Sequence, residues 1–521
     1  MVHAQATEQP YSRRWLALAV LALSLVVIGM DNTILNVALP TLVRDLGATA
    51  SQLQWIVDSY VLVFAGLLLT MGALGDRFGR KLALLVGMVI FAIASAGSAW
   101  ANSPELLIAT RAAMGIGAAL IMPSTLSIIT DMFPPHERGR AIAAWAAIAG
   151  LGIVAGPVIG GWLLENFWWG AIFLVNLPII LVAIVSGVAI VPESKDPDAT
   201  PLDPVGAGLS IAGLSALVYG IIEAPDNGWT EGVTLLAFGI AAVLLAAFVA
   251  WELRSKHPML KISFFKDPRF TAASLAITMI FFAMFGAIFI LTQHLQFVLD
   301  YSALEAGFRV TPIATLVLSA PIAARVVERV GTKVVVATGL TVVAIALWLM
   351  SGVDVETGYA PLGWALALMG LGMGATMAPA TDSIMGSLPL AKAGVGSAMN
   401  DTTRMVGGAL GVAVIGSVLS SSYGDAMAPA VANLPAPVAA AASDSVGAAM
   451  SIAERIGPQA SDLIQAARSS FVESMGDAVL VAAGVALLGA IVAFFFLPAR
   501  PRERFDRPDR EDRPLETAAA P

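Results

Sequence analysis

Residues 72–81 read Gly-Ala-Leu-Gly-Asp-Arg-Phe-Gly-Arg-Lys, a polar loop between two apolar runs. The run before the loop covers about 53–74 and the run after it covers about 82–100. A membrane-spanning helix needs about 20 apolar residues, so the loop joins two predicted spans. Gly79 permits a tight turn, and the loop's cations can meet the C-terminal carbonyl groups of neighbouring helices. Asp76 can accept hydrogen bonds from the free N–H groups that open the third span.

The same alternation of apolar runs and short polar loops continues along the chain of 521 residues. Of these residues 58% are apolar and 13% are charged, whereas a soluble domain carries about 25% charged residues. This composition, with a net charge of −8, excludes a soluble enzyme, a disordered chain and a nucleic-acid-binding protein. We predict no cofactor and no metal site, since the chain has no cysteine and only four histidines.

Fourteen apolar runs are long enough to span a membrane, and they predict an all-α protein embedded in a lipid bilayer. The predicted spans are 15–39, 53–74, 82–100, 106–129, 141–164, 171–191, 206–222, 233–251, 270–291, 303–324, 334–350, 362–381, 396–419 and 477–497. A long outer loop, 420–476, precedes the last span. A helical repeat of apolar residues between Leu463 and Met475 predicts one or two amphipathic helices in that loop.

The distribution of Lys and Arg predicts the orientation of the chain. With the N-terminus in the cytoplasm, the outer loops hold only Arg44, Arg455 and Arg468, as the positive-inside rule expects. The even number of spans then places both termini in the cytoplasm. These termini are residues 1–14 and a disordered tail at 498–521.

An internal repeat with a period of 255 positions divides the chain into two halves. The recurring pairs include Met114-Gly-Ile-Gly with Met369-Gly-Leu-Gly, Gly152 with Gly407, and Gly156 with Gly411. Parallel halves of this kind are a transporter design, with the site where the halves meet. The predicted domains are an N-terminal six-helix bundle at 15–191, an inserted helix pair at 206–251 and a C-terminal six-helix bundle at 270–497.

Six ionisable residues lie inside predicted spans, where charges are costly and therefore candidates for function. They are Asp31, Asp58, Asp401, Arg111, Arg309 and Arg404. Asp31, Asp58 and Arg111 lie at similar depth in the first bundle. Arg111 can keep one carboxylate ionised, and the other then favours its protonated form. We predict that Asp31 and Asp58 exchange a proton for a cationic substrate, with Arg111 as the tuning group.

Other interpretations of these charges stay open. Asp31 and Arg111 are a buried structural pair in one alternative, and Asp58 is an interfacial residue in contact with water in another. Asp401 and Arg404 are three positions apart, so they either neutralise each other on one helix face or leave Asp401 to contact substrate.

A lipophilic cation also needs aromatic faces. The predicted substrate contacts are therefore Asp31, Asp58, Asp401, Tyr60, Phe64, Phe285 and Gln296. The alternative for each Phe is a position facing lipid.

The fifth predicted span contains a ridge of small residues, Gly152-Ile-Val-Ala-Gly156-Pro157-Val-Ile-Gly160-Gly161. Glycines four positions apart let another helix approach closely, and proline bends the helix where it packs. Tight packing alone is the alternative to a functional role.

These motifs resemble those of the major facilitator superfamily. The 72–81 loop resembles its cytoplasmic signature, and the ridge in span five resembles the antiporter motif of its exporters. The stretch from Asp31 to Pro40, Asp-Asn-Thr-Ile-Leu-Asn-Val-Ala-Leu-Pro, resembles an element of the fourteen-helix drug:proton antiporters. Acids at positions 58 and 401 resemble the QacA-like exporters of quaternary ammonium compounds.

The resemblance covers about 13–497 and implies the major facilitator fold. It implies a proton-coupled multidrug efflux antiporter of the plasma membrane that exports hydrophobic, cationic compounds and works as a monomer. The cytoplasmic loop would be a conformational latch, formed by Gly72, Asp76, Arg77, Gly79 and Arg80.

Two other functions stay open at this point. One is export of a single endogenous solute, such as a lipid, a peptide or a self-made antibiotic. The other is a membrane scaffold or sensor without transport. No enzymatic activity is predicted.

Overall fold

A computed structural model describes residues 13–195, 202–387 and 393–497, and these residues form eighteen α-helices and no strand. In chain order the helices are α1 (Arg14–Leu46), α2 (Ala50–Phe78), α3 (Arg80–Ala99), α4 (Pro104–Met132), α5 (Pro135–Asn166), α6 (Ala171–Leu174), α7 (Asn176–Ile190), α8 (Pro204–Asn227), α9 (Gly232–Arg254), α10 (Pro268–Gln293), α11 (Ala303–Val310), α12 (Thr315–Val330), α13 (Thr332–Ser351), α14 (Tyr359–Gly386), α15 (Ala393–Val431), α16 (Ala436–Asp444), α17 (Val446–Ile456) and α18 (Ser461–Phe496). The predicted tail, and the predicted N-terminus up to residue 12, lie outside the described residues.

Within the described chain, thirteen helical segments are long and apolar enough to cross a membrane, and each coincides with a predicted span. The remaining prediction, at 141–164, falls on α5. This helix has 32 residues, and its apolar portion Leu151–Asn166 is shorter than a span. The protein is therefore an all-α, multi-pass membrane protein.

Following the predicted orientation, we call the end with the α1–α2 connection the outer end and the end with the 72–81 loop the inner end. Hydroxyl side chains cap the starts of α2 and α4 at the outer end. Thr49 Oγ1 accepts a hydrogen bond from Gln52 N at 3.3 Å, and Ser103 Oγ accepts one from Leu106 N at 3.3 Å. These caps satisfy N–H groups that a helix start leaves without an intrahelical partner.

The glycine repeat brings corresponding helices together in the two halves. Gly152 and Gly156 let α5 lie against the backbone of α1, and Gly407 and Gly411 let α15 lie against the backbone of α10. The backbone positions that face these glycines are Val26 and Met30 in α1 and Thr278 and Phe282 in α10. A Cβ atom at any of the four glycines would overlap the partner helix, so the ridge sets the distance between helices.

The fourth spanning helix of each half, α4 and α14, also uses glycines to pack closely on its neighbours. Gly115 of α4 faces α2 and Gly117 faces α3. In the second half, Gly370 of α14 faces the turn before α12, and Gly372 faces α13.

The two halves touch each other at the outer end. Gly416 of α15 lies against Gln54 of α2, and Gly307 of α11 lies against the backbone of Pro157 in α5. Gln296, which follows α10, donates through Nε2 to Val37 O in α1 at 2.9 Å. These contacts close the outer end of the interface.

The inserted helices pack unequally. α8 contacts both halves, because Glu223 Oε1 accepts from Trp55 Nε1 of α2 at 3.1 Å and Ile221 O accepts from Ser417 Oγ of α15 at 2.8 Å. α9 packs on α8 and exposes apolar side chains such as Val243, which is 68% exposed. The exposed face of α9 is suited to lipid.

The outer loop is more helical than the sequence suggested. α15 continues to Val431 and α18 begins at Ser461, so α16 and α17 occupy most of the interval between them. The repeat from Leu463 to Met475 was expected as a separate amphipathic helix, but it belongs to α18. Its buried residues Ala467, Phe471 and Met475 continue the packed face of the last span, which explains their helical spacing.

Candidate functional site

A buried ion pair joins α1 and α4 in the first half. Arg111 is 1% exposed and Asp31 is 0% exposed, and Arg111 Nη1 lies 2.5 Å from Asp31 Oδ2. The same guanidinium donates through Nε to Ile56 O at 3.2 Å. Its carbon Cζ lies 4.4 Å from the centre of the Tyr60 ring. Arg111 is therefore held by a carboxylate, a backbone carbonyl and an aromatic face together.

The sequence explains how α4 comes close enough to α2 for this arrangement. Gly115 lies one turn after Arg111 and faces the backbone of α2 between Tyr60 and Phe64. Without a Cβ atom at Gly115 the two helix backbones can touch. Asn176, fully buried at the start of α7, lies beside Asp31 and donates to Ser95 Oγ at 3.1 Å.

Asp58 is buried in a different way from Asp31. It is 0% exposed, and neither of its carboxylate oxygens has a hydrogen-bond partner among the described residues. It lies one turn after Gln54 on α2, and Gln54 packs against Gly416 of α15. Asp58 therefore lies on the face of α2 that points towards the second half. An ionised carboxylate without a donor is costly to bury, and the neutral form avoids that cost.

A second polar group lies in the C-terminal half. Arg404 Nη1 lies 3.6 Å from Asp401 Oδ1, three positions earlier on α15. Arg404 Nη2 donates to Thr381 Oγ1 of α14 at 3.4 Å, and Thr381 Oγ1 donates to Asn400 Oδ1 at 3.1 Å. The Arg404 side chain is 23% exposed, so this pair is less enclosed than Asp31 and Arg111.

The predicted aromatic residues fall into two groups. Tyr60 and Phe64 are fully buried in the first half with ring centroids 5.8 Å apart, and the guanidinium of Arg111 covers the Tyr60 ring. Phe285 lies in the second half against Gly408, and its ring centroid is 6.1 Å from that of Phe281. Arg404 Cζ lies 5.5 Å from the Phe281 ring centre, which links Phe285 to the polar group of α15.

The predicted site residues are thus not all in one place. Asp31, Arg111, Tyr60 and Phe64 lie together in the first half, with Asp58 two residues before Tyr60 on α2. Asp401 and Phe285 belong to the second half. Gln296 is separate from both groups, because it bonds to Val37 O at the outer end.

The 72–81 loop ties together helices of the first half. Arg80 Nε lies 2.6 Å from Asp76 Oδ1, and Arg80 Nη1 donates to Ser194 Oγ at 2.9 Å. Ser194 Oγ in turn donates to Asp131 Oδ2 of α4 at 2.6 Å. The N–H group of Arg80 donates to Ser194 O at 2.9 Å. The sequence predicts that Asp76 accepts hydrogen bonds from the N–H groups that open α3. The N–H group of Arg80 instead donates to a backbone carbonyl in the segment after α7.

The glycines of this loop have distinct positions. Gly79 joins α2 to α3 with φ of +123°, a conformation that L-residues with side chains rarely adopt. Gly72 packs against Pro123 of α4. Arg77 Cζ lies 5.7 Å from the ring centre of the neighbouring Phe78.

The ridge of span five serves two surfaces. Gly152, Gly156 and Gly160 face α1. Gly161 and the backbone of Pro157 instead face α11 of the other half. The motif therefore both sets the α1–α5 distance and forms part of the closed outer interface.

Several polar residues of these groups escaped prediction because they are uncharged. Gln54, Asn176, Thr381 and Asn400 lie in membrane-spanning helices, where an amide or hydroxyl also needs a partner. Amide side chains inside predicted spans are the sequence signal that identifies three of them, Gln54, Asn176 and Asn400.

Comparison with known proteins agrees with this architecture. The family profile of the Major Facilitator Superfamily matches residues 21–412. A bacterial homologue of the human lysosomal transporter Spinster, solved in an inward-facing and unoccupied conformation, superimposes with a TM-score of 0.65. That match covers 92% of this chain and 98% of the other at 18% identity, so it supports the fold alone.

Curated relatives are similar over almost their whole length. The multidrug efflux pump LfrA of Mycolicibacterium smegmatis is 37% identical, covering 94% of this chain and 97% of LfrA. The tetracenomycin C resistance and export protein of Streptomyces glaucescens is 34% identical, covering 94% and 93%. The methyl viologen resistance protein SmvA of Salmonella typhimurium is 34% identical, covering 93% and 98%. The chain belongs to the Major Facilitator Superfamily of transporters, and within it to the group of drug:proton antiporter type that includes these efflux and resistance proteins.

Proposed function

We propose that the protein exports hydrophobic, cationic compounds in exchange for protons across the plasma membrane. The observation that carries this proposal is the contrast between Asp31, which is paired with Arg111, and Asp58, which has no partner. The relatives named for multidrug efflux and for methyl viologen resistance support the substrate class, since methyl viologen is an organic dication.

The coupling follows because a proton and a cationic substrate compete for the same carboxylate. Arg111 keeps Asp31 ionised and fixed, whereas Asp58 holds the proton on the face towards the second half. A cation that enters the interface favours the ionised form of Asp58, so cation binding and proton release are linked. Alternating exposure of this face to the two sides then exchanges one cation for protons.

The second half contributes to substrate contact through Asp401. Its charge is only partly neutralised by Arg404 at 3.6 Å, and Phe281 and Phe285 supply aromatic faces nearby. At the inner end, a hydrogen-bond network joins the helices of the first half through Arg80, Asp76, Asp131 and Ser194. This network is the latch that stabilises one conformational state. We place both termini in the cytoplasm and expect the monomer to be the working unit.

Transport by the purified protein in liposomes tests this function. A pH gradient should drive uptake of ethidium, and added ethidium should release protons. Asp31→Asn and Asp58→Asn should each abolish ethidium-driven proton release, while Asp45→Asn, an exposed acid on the same helix as Asp31, should retain it. Normal proton release by Asp58→Asn would contradict the assignment of the proton to Asp58. Normal proton release by Asp31→Asn would contradict a role in coupling for the pair of Asp31 and Arg111.

Export of one endogenous solute is the second candidate. The relative named for tetracenomycin C resistance and export favours it, because that protein is named for a single antibiotic. A substrate screen in the same liposomes distinguishes the two, since a single-solute exporter should ignore ethidium and other unrelated cations. Flux in liposomes without a partner protein would also exclude a scaffold or sensor.

A further inference from the structure

A small cavity lies at the outer end, and its lining includes neither Asp31 nor Arg111. Its volume is about 20 Å³, and its walls come from α2, α10, α15, α18 and the junction of α16 with α17. The side chains that matter below are Gln54, Phe289, Tyr423, Asp444 and Phe471. Gln54 comes from the first half of the molecule and the others come from the second.

One acidic side chain, Asp444, lines this cavity. Asp444 Oδ2 accepts a hydrogen bond from Ala50 N at the start of α2, at 3.1 Å. Burial raises the pKa of Asp444, the Ala50 N–H lowers it, and the nearby carboxylate of Asp226 raises it further. Within the described chain neither acid is in an ion pair, and the outer cation Arg468 pairs with Asp300 instead. A positive charge placed here would relieve the repulsion.

The cavity also holds an unsatisfied polar atom. Gln54 is 1% exposed, and its Oε1 has no hydrogen-bond partner among the described residues. Buried amide oxygens normally have a donor, so this one calls for an explanation. A ligand that carries an N–H group would satisfy it.

Three aromatic side chains form part of the remaining wall. Phe289, Tyr423 and Phe471 line the cavity beside the acid. Rings next to a carboxylate favour an organic cation over a hydrated metal ion, because the rings replace water poorly around a small ion but bind a diffuse charge. The described residues contain no group of three potential metal ligands, which agrees with this choice.

We propose that this cavity is an exit site for organic cations, with Asp444 as the counter-charge, the rings of Phe289, Tyr423 and Phe471 in its wall and Gln54 Oε1 as an acceptor. The site rests on the export function proposed above. Because α2 belongs to the first half and α10, α15 and α18 belong to the second, separation of the halves at the outer end enlarges the cavity so that such a cation can enter. An exported compound then binds here before it leaves.

Inhibition from the outer side tests the exit site. In liposomes with the protein in one orientation, tetraphenylphosphonium on the outer side should compete with ethidium export. Asp444→Asn keeps an oxygen for the Ala50 N–H but removes the charge, so the half-inhibitory outer concentration should rise about tenfold. The KM for ethidium at the inner side should not change. Asp425→Asn, an exposed acid on α15, is the matched control and should behave as the wild type.

A labelling experiment covers the case in which Asp444→Asn folds poorly. The chain has no cysteine, so Ser420→Cys places a single thiol in the cavity wall. Tetraphenylphosphonium should slow its reaction with an impermeant maleimide, and Mg²⁺ should not. Equal outer inhibition of Asp444→Asn and wild type, or equal protection by Mg²⁺, would overturn the exit site. Absence of ethidium export by the wild type would instead overturn the proposed function.

Discussion

The two halves of the molecule share a helix scaffold but not its charges. α5 packs on α1 through glycines, and α15 packs on α10 through glycines 255 positions later. At corresponding positions the side chains differ. Arg111 of α4 corresponds to Leu366 of α14, 255 positions later. Val26 and Met30 of α1 match Thr278 and Phe282 of α10 with an offset of 252, so Asp31 corresponds to Ala283. Leu366 and Ala283 are as fully buried as the charged residues that they match.

The packing of the helices is thus common to both halves, whereas the buried charges are not. The glycines recur because helices in a membrane associate through close backbone contact, which both halves need. The ion pair does not recur, because Leu366 and Ala283 occupy the corresponding positions and neither side chain carries a charge. The second half has instead an intrahelical pair, Asp401 and Arg404, which is more exposed. We therefore expect mutations in the scaffold to act alike in both halves and mutations of charge to act unequally.

The largest expected effect comes from removing the cation of the buried pair. Arg111→Leu leaves Asp31 buried without its partner, so it should abolish transport and lower the free energy of unfolding by about 3–5 kcal/mol. The corresponding change in the other half, Leu366→Met, conserves volume and should cost less than about 1.5 kcal/mol while keeping transport. Thermal unfolding in detergent and ethidium efflux measure both. An Arg111→Leu protein with wild-type stability would show that the pair is not buried as described.

The scaffold glycines should respond equally in the two halves. Gly156→Ala and Gly411→Ala each place a Cβ atom against a carbonyl of the facing helix, so each should lower the free energy of unfolding by about 1–3 kcal/mol. Gly484→Ala on α18, where a Cβ meets nothing within 4 Å, is the control and should not destabilise. A large effect in only one half would contradict the common scaffold.

The acid of the second half should have a narrower effect than those of the first. Asp401→Asn removes a charge that Arg404 already offsets in part, so resistance to dications should fall about two- to fivefold, which is about 1 kcal/mol or less. Resistance to monovalent cations should stay the same. Growth of expressing cells on graded concentrations of both classes measures this. Unchanged resistance to every dication would remove Asp401 from the substrate site.

Among the changes to the scaffold, the smallest expected effect concerns the turns at the inner end. Gly79 and Gly331 join corresponding helices with φ of +123° and +88°. Changing either to Ala should lower the free energy of unfolding by about 1–2 kcal/mol, because a Cβ strains a left-handed conformation. The Cβ of Gly79→Ala would also lie 2.8 Å from Glu193 Oε1, but that atom ends a flexible side chain that can move away, so backbone strain should be the main cost. Equal thermal stability of Gly79→Ala and wild type would place that turn outside the strained region.

Much of the fold could be predicted from apolar run length and repeat period. Thirteen predicted spans coincide with helices, because a helix that crosses lipid must be long, apolar and internally hydrogen-bonded. The structure of the outer loop was harder to predict from sequence. The repeat that ends at Met475 has the spacing of any helix that buries one face, so the spacing alone does not show where α18 begins. Only packing shows that this repeat continues α18 rather than forming a separate helix.

The sequence by itself determined the family, the two-half scaffold and the short set of ionisable residues inside the spans. Long apolar runs, glycine ridges and charges within a span can each be recognised from the local pattern of residues. Only the tertiary structure decided which charges pair. Asp31 and Asp58 have the same side chain in neighbouring spans, yet one meets Arg111 at 2.5 Å and the other meets no partner in the described chain. Pairing depends on helix rotation and close approach at Gly115, which the spacing of residues along the chain does not fix.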